Sequence, residues 1–283
     1  MTQGRYESLG EDMFVDPEYA KAFRTLGLTD IEAVFRFEGG VNLSKDNLSR
    51  HRSRIRFEIR EPATTLFLKR YDRTPVMGQL RNWMEYGRRV STADRDRLPG
   101  EALAVAGIAT PQVVAFGTEW SGIFERRSFV VTRMLEGAEA LERRMPEAWQ
   151  SGANGSAAER RRFLEGLADF VRRFHATGYC HRDLYLAHLF LDAAGRLYLI
   201  DLQRAFRPRL RGWRWQIKDL AQLHYSAPGE LVSCSDRLRF YHRYVGRQRL
   251  TWLDRWRIAR IRARAWRMAD HDLRHGREVP FAR

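Results

Sequence analysis

Cysteine is nearly missing from this 283-residue chain, which has only Cys180 and Cys234, at no zinc-binding spacing and too few for a disulfide framework. A reducing compartment is the default, and both read as ordinary thiols. No run of about 18 apolar residues occurs, so no membrane-spanning helix is expected. The opening MTQGRYESLGEDMF has no apolar signal core, and a cytoplasmic location follows as the expectation. Acidic residues are in short supply too: 35 Asp and Glu face 50 Lys and Arg, a formal net charge of +15. That balance points to an anionic partner, whether nucleotide, phosphorylated glycan, acidic membrane surface or nucleic acid. Internal repeats are absent, and the one biased stretch is an Arg-rich tail.

What is present is core material. An apolar fraction of 44% with 8 Trp, 16 Phe and 10 Tyr suits one large domain or two lobes. Short β-rich runs come first, AVFRF at 33–37, RIRFEI at 54–59 and TLFLKRY at 65–71, divided by Gly39-Gly40 and Glu61-Pro62. A helical stretch from about Pro75 to Ala106 follows, predicted to break near Pro99-Gly100, and then strands PQVVAFG at 111–117 and SFVVTRM at 128–134. The first half thus reads as an antiparallel sheet with one helical excursion. After SGANGSA at 151–157 the pattern turns helical, with Phe163, Leu167, Phe170, Val171 and Phe174 recurring every three or four residues. Two short strands, HLFLD at 188–192 and LYLID at 197–201, form a hairpin through Ala193-Ala194-Gly195.

Chemistry concentrates in CHRDLYLAHLFLD and the following LYLID. An HRD, a polar residue five positions after its Asp, a hairpin and a second Asp is the order protein kinases use, HRDLxxxxN and then DFG. Phosphoryl transfer needs one carboxylate near the acceptor hydroxyl and separate magnesium ligands. Asp183 fits the catalytic base and Asp201 the metal ligand, while His181 and Arg182 would brace the loop. His188 stands where those kinases have Asn, and an imidazole is a softer magnesium ligand than an amide oxygen. Upstream, Lys69 at the end of the third strand is where a lysine would hold the α and β phosphates of ATP, paired to a carboxylate on the following helix. The segment 38–49, EGGVNLSKDNLS, would cover the phosphates, with Gly39 and Gly40 offering backbone donors. Backbone groups of Thr132 to Glu136 would meet adenine.

From about Ala33 to Ser226 the chain resembles the lipopolysaccharide core heptose kinases of the Kdo/WaaP family, which have a protein-kinase-like fold. The resemblance is carried by VFRFEGG, FLKRY, ADRD, AGIATP, CHRDLYLAHLFLD, IDLQRA and GWRWQIKDLAQLHYS. It implies an α+β bilobal fold, with an N-lobe antiparallel sheet plus helix over 1–134 and a mainly helical C-lobe over 135–283. It also implies ATP and Mg2+ bound between the lobes, and a sugar hydroxyl of an envelope glycan or glycolipid as acceptor. By resemblance Lys69 holds ATP phosphates, Asp183 is catalytic, Asp201 binds metal, His188 matches a family His, and Arg204 and Asp219 organise the active-site loop. Asp96 falls where the family carries Glu, and Glu85 and Glu101 remain rival partners for Lys69. Arg97 replaces the family's Trp, and Pro99-Gly100 is expected to interrupt the helix, so the acceptor need not be the family's usual heptose.

The segment 252–267, WLDRWRIARIRARAWR, alternates arginine with aromatic and aliphatic residues. Such a helix either packs its Trp and Ile residues on the large lobe, the preferred reading, or faces anionic lipid at the inner membrane surface. A protein kinase acting on Ser, Thr or Tyr and a basic anion- or nucleic-acid-binding protein are the competing functions. No recognised nucleic-acid motif supports the latter.

Overall fold

The structure is a computed structural model that describes residues 5–43, 51–150 and 157–280. It divides into two compact units, Met1–Ala102 with Thr110–Leu135, and Leu103–Ala109 with Glu136–Arg283. In the first unit the chain runs β1 (Glu7–Gly10), β2 (Met13–Val15), α1 (Pro17–Thr25), α2 (Ile31–Arg36), β3 (Val41–Asn42), β4 (Arg52–Arg60) and β5 (Ala63–Asp72). It continues as α3 (Val76–Tyr86), α4 (Thr92–Val105), β6 (Val113–Ser121) and β7 (Phe124–Arg133). Among the described residues the strands form one sheet in the order β1-β2-β6-β7-β5-β4-β3 with antiparallel neighbours. Alternation explains its one-sidedness. Ile55, Phe57 and Ile59 on β4 are buried while Arg54, Arg56 and Glu58 between them are exposed. Tyr19 and Phe23 of α1 and Ile31 and Val34 of α2 pack into the same apolar cluster as that face.

Three sequence expectations are corrected here. Residues 33–37 are not a strand: most of them belong to α2, because Asp30 caps its first turn by accepting a hydrogen bond from the Ala33 N–H at 2.8 Å. The long helix from Pro75 divides at Gly87, in the left-handed conformation at φ 67°, and not at Pro99. It restarts from a reciprocal cap in which the Ser91 N–H donates to the Asp94 carboxylate and the Asp94 N–H donates to Ser91 Oγ, both at 3.1 Å. Pro99 and Gly100 then lie inside α4. Pro99 forfeits one helical hydrogen bond, a cost of about 3 kcal/mol. Arg97 offsets part of that cost by bridging Asp94 at 2.7 Å and Glu101 at 2.9 Å, with its guanidinium 3.8 Å from the Phe116 ring centre. Beyond the expected elements the unit also holds β1, β2 and α1, the last started by Asp16 as cap and Pro17 in its first turn, so it contains more helix than the single excursion expected.

The second unit comprises β8 (Glu139–Ala140), α5 (Leu141–Gln150), α6 (Ala157–Ala176), β9 (Leu189–Leu191), β10 (Leu197–Leu199), α7 (Gly212–Ser226), α8 (Cys234–Val245) and α9 (Trp252–Arg274). The stripe read on α6 is its buried face: Leu167, Phe170, Val171 and Phe174 join the core with Leu184 and Leu199. The hairpin β9–β10 forms as expected, pairing Leu189 with Leu199 and Leu191 with Leu197, and β8 extends it on the β9 side. Ser233 with Asp236 and Thr251 with Asp254 make capping boxes that start α8 and α9. On α9 Ile261, Ala265 and Ala269 are buried and Trp266 packs beside Tyr225, as expected of a docked helix. Trp252, at 79% exposed, does not pack. None of the helices among the described residues is long and apolar enough to cross a membrane.

His224, on α7, gives this unit a pH dependence. Burial, and then the Arg237 and Arg262 charges, push it from 6.5 down to about 3, and an Arg237 N–H donates to its Nδ1 at 3.1 Å. The folded protein therefore keeps His224 neutral while the unfolded chain protonates it below pH 6.5. Stability from this group is complete above that value and falls as pH drops from 6.5 toward 3, by about 1 kcal/mol per pH unit. Urea unfolding midpoints between pH 7.5 and 5 should decline, and His224→Gln should flatten that decline. An unchanged slope in the variant would assign the acid sensitivity elsewhere.

Candidate functional site

In the first unit Lys69 sits on β5, opposite Arg54 of β4 and Val130 of β7. The sheet buries it to 8% exposure, so its ammonium needs a counter-charge. Asp96 on α4 supplies it: Lys69 Nζ donates to Asp96 Oδ2 at 2.6 Å, and the Tyr71 hydroxyl donates to the same oxygen at 3.0 Å. Burial alone would raise the Asp96 pKa. Lys69, the Tyr71 hydrogen bond and the Arg52 charge outweigh it and hold the carboxyl below its usual range. The two rivals are committed elsewhere, Glu85 to Arg95 at 3.6 Å and Glu101 to Arg97 and the Tyr6 hydroxyl. Gly40 has a packing reason, since a Cβ there would lie 2.5 Å from the Arg56 carbonyl oxygen, and one on Gly39 would meet the Phe37 ring at 2.7 Å. The remainder of the predicted phosphate-covering segment, 44–49, lies outside the described residues. In the predicted adenine-facing stretch the Arg133 and Met134 N–H groups already donate within the unit, to Gln112 O and Thr65 O at 2.9 Å each.

The HRD segment lies in the second unit, and its backbone is held from α7. Asp219, fully buried, accepts from the His181 N–H at 2.7 Å and the Arg182 N–H at 2.8 Å. Lys218 donates to the Arg182 carbonyl. One residue in left-handed conformation, Arg182 at φ 73°, is thereby gripped at both ends. His181, with no exposure, donates from Nε2 to Ile200 O at 2.9 Å and accepts the Asp183 N–H on Nδ1 at 3.3 Å. Those partners assign its tautomer. Burial lowers its pKa, so it is a neutral strut tying the loop to the residue before Asp201. The Arg182 guanidinium stands over the Phe206 and Trp215 rings at 5.1 and 5.3 Å, a contact that braces the loop.

The Asp183 carboxylate is oriented by Arg204, at 2.9 and 3.0 Å to its two oxygens, with Lys218 at 4.0 Å. His188 donates from Nδ1 to the Asp183 carbonyl at 2.7 Å, which leaves Nε2 as a lone-pair donor. That nitrogen faces Asp201 Oδ2 at 3.8 Å. Asp201 adopts φ 57°, and its carboxylate does not cap the 3-10 turn that follows, Leu202–Arg204. Asp201 and His188, whose imidazole is fixed through its other nitrogen on a backbone carbonyl, are the two residues here that could share a cation.

Sequence reasoning missed Lys218, Gln222 and Ser226. Gln222 accepts the Leu184 N–H at 3.2 Å and Ser226 the Leu186 N–H at 3.0 Å. With Asp219 they form a polar row at i, i+3 and i+7 on one face of α7 that receives the backbone of the HRD loop. The signal was available as polar residues at the helical spacing of the buried positions of α7, among Ile217, Leu220 and Leu223. His175, Cys180 and Asp219 also bring ligand-type atoms within 4.8 Å of one another. Asp219 and His175 are already hydrogen-bonded, the latter to Tyr244 and Asp219. Burial pushes the Cys180 thiol up to about 12, so the trio reads as framework.

Known proteins share this arrangement of elements. The lipopolysaccharide core heptose(I) kinase WaaP of Pseudomonas aeruginosa is 31% identical over 180 residues, 61% of each chain, so the match spans less than two thirds of that relative. Its counterpart from Escherichia coli is 29% identical over 202 residues, 69% of this chain and 75% of that one. A 3-deoxy-D-manno-octulosonic acid kinase of Photobacterium damsela is 39% identical over 56 residues, 20% of this chain and 22% of that one. A solved structure, WaaP in complex with acyl carrier protein, superposes with a TM-score of 0.65 at 25% identity, covering 92% of this chain and 98% of that one. The fold is therefore α+β and protein-kinase-like, as the resemblance implied. Since the model of the lipopolysaccharide kinase (Kdo/WaaP) family matches residues 48–244, well over half of its length, the chain belongs to that family.

Proposed function

We propose that this protein is an ATP-dependent kinase that phosphorylates a sugar hydroxyl, a heptose of the lipopolysaccharide inner core or a related envelope glycan. The observation that carries the reading is the run from Arg204 through Asp183 to His188 and Asp201, in which one carboxylate is aimed by cations and a second faces an imidazole lone pair. In this reading Asp183 orients the acceptor hydroxyl and takes its proton as the oxygen–phosphorus bond forms and ADP departs. Lys69, held by Asp96, offsets phosphate charge on the nucleotide. Arg204 holds the Asp183 carboxylate in one orientation. Asp201 and His188 are the residues that would hold Mg2+, which when bound supplies charge neutralisation at the phosphates. A glycan acceptor over a Ser, Thr or Tyr side chain is supported by the relatives, one named for a lipopolysaccharide core heptose and the other for 3-deoxy-D-manno-octulosonic acid.

The testing experiment is transfer of labelled γ-phosphate from ATP with magnesium, offering dephosphorylated core lipopolysaccharide and a generic protein side by side. Label on the glycan is expected. Label on protein alone would replace the sugar acceptor, and label on neither would leave the kinase reading without support.

The partner of the solved relative enters the proposal as well. An acyl carrier protein would bring an acyl chain that needs apolar cover, and the second unit contains a mainly apolar cavity of about 450 Å³ among α6 to α9, lined in part by Leu164, Leu167, Leu186, Leu223 and Ile261. Acylated carrier protein should co-elute with the chain in size-exclusion chromatography. Co-elution of unacylated and acylated forms to the same extent would separate the cavity from the interaction.

A further inference from the structure

Beside the catalytic loop, wholly within the second unit, lies a second cavity of about 630 Å³, within the size range of small-ligand sites. Tyr185, two residues after Asp183, forms one wall, and its ring lies edge-on to both His188, at 6.3 Å, and Tyr225, at 6.5 Å. Gln222 donates to its hydroxyl at 3.2 Å, so the ring is held at this edge of the loop. The opposite wall is α9, which contributes Arg264, Arg267 and His271, with Arg277 beyond its end. The acid in the cavity is Asp272, and it is spent: it accepts from the Tyr225 hydroxyl at 2.6 Å, pairs with Arg277 at 3.1 Å and contacts His271 at 3.2 Å. Among the described residues neither Arg264 nor Arg267 has a carboxylate partner. Arg264 is half-buried, and burial first, then the Arg267 charge, lowers its pKa from the ordinary arginine value against the opposing pull of Asp219 and Tyr185. A guanidinium partly withdrawn from water, with Arg267 beside it and no carboxylate within ion-pair distance among the described residues, favours an added anion.

We propose, on the kinase reading above, that this cavity is an acceptor subsite in which Arg264 and Arg267 bind an anionic substituent, a carboxylate or a phosphate, on the saccharide whose hydroxyl Asp183 serves. Tyr185 and Tyr225 supply flat walls for sugar rings, and the planar guanidinium forks suit a bidentate anion. Specificity follows directly: a neutral saccharide leaves the cations uncompensated, so an acidic acceptor is preferred over its neutral analogue. The location also separates this role from general surface basicity, because the anion is bound next to the loop that carries Asp183.

The test uses the full chain and a lipid-free, dephosphorylated core oligosaccharide, with its carboxylates intact or reduced to alcohols. Calorimetry is expected to show that the parent prefers the acidic form by about tenfold or more, and that Arg264→Gln/Arg267→Gln loses that preference while binding the neutral form as before. Arg267 is exposed, so Arg267→Gln alone keeps the fold and should show a smaller loss of the same kind. In turnover the loss should appear in KM, with kcat retained. Equal weakening of both oligosaccharides, or of neither, overturns the subsite. So does inorganic phosphate binding as tightly as the oligosaccharide, which would make this a free-anion site. Unchanged oligosaccharide affinity with reduced flotation on anionic vesicles would reassign the arginines to a membrane surface and also overturn it. Binding that depends on Arg264 without any phosphate transfer would leave the subsite standing and remove the kinase reading, whereas transfer with unaltered KM in the variants would do the reverse.

Discussion

Asp183→Ala should lower the rate of phosphoryl transfer by about 10²- to 10⁴-fold, the usual worth of a positioned general base, while nucleotide affinity stays close to that of the parent. The separation of the two effects follows from what Asp183 touches. Its oxygens meet Arg204 and, more distantly, Lys218, and the backbone of the same residue is held independently, through its N–H on His181 and its carbonyl on His188. Truncation therefore removes the carboxylate without dismantling the loop. It also releases two cations, which would attract a polyphosphate and not repel it. Asp183→Asn keeps the shape and loses the proton acceptor, so it should fall nearly as far. Asp201→Ala differs in kind: its carboxylate faces His188 Nε2 at 3.8 Å, and its removal should weaken magnesium-dependent nucleotide binding together with turnover. Single-turnover rates and nucleotide titrations on the three variants decide the matter. Full turnover in Asp183→Ala would sink the assignment of the base.

The elements legible in the sequence are those with strong local signals. Arg54 to Ile59 alternates with period two and is a strand, Phe163 to Phe174 recurs with period 3.6 and is a helix, and the hairpin around Gly195 has both its strands and its turn written locally. The errors fall where a cap outweighs propensity. Ala33 to Phe37 is rich in strand-forming residues, yet one Asp30 hydrogen bond starts a helix there. Pro99 reads as a breaker, yet α4 continues because its first turns are anchored by Ser91, Asp94 and Arg97. Pairings across long separations were the least legible. Lys69 and Asp96 are identifiable as candidates by position, but only the packed sheet and helix choose Asp96 over Glu85 and Glu101. Arg182 reads from its motif as a brace, but the rings it stands over, Phe206 and Trp215, lie too far along the chain for the sequence to pair them with it.

Asp219→Asn should cost about 3 kcal/mol or more in stability and roughly 10²-fold in turnover, although Asp219 touches no reacting group. Its two oxygens accept the His181 and Arg182 N–H groups, and with His175 it is enclosed without exposure. An amide offers one acceptor oxygen and turns its NH2 toward a second N–H, so one buried donor loses its partner and meets a like dipole. The left-handed turn at Arg182 is disfavoured for a residue with a side chain and persists because Asp219 and Lys218 hold both ends of that residue. With one hold lost, the turn relaxes and carries Asp183 with it. A displacement near 1 Å at such a group is enough for a loss of about 10² in rate. Gln222 and Ser226 continue to hold Leu184 and Leu186, so the loop shifts and does not unravel. Urea unfolding and kcat, measured on the same preparation, distinguish positioning from plain support. An earlier unfolding midpoint with the parent's kcat below the transition would make α7 a buttress only, whereas a reduced kcat in fully folded protein, with nucleotide affinity retained, assigns the row on α7 the placement of Asp183.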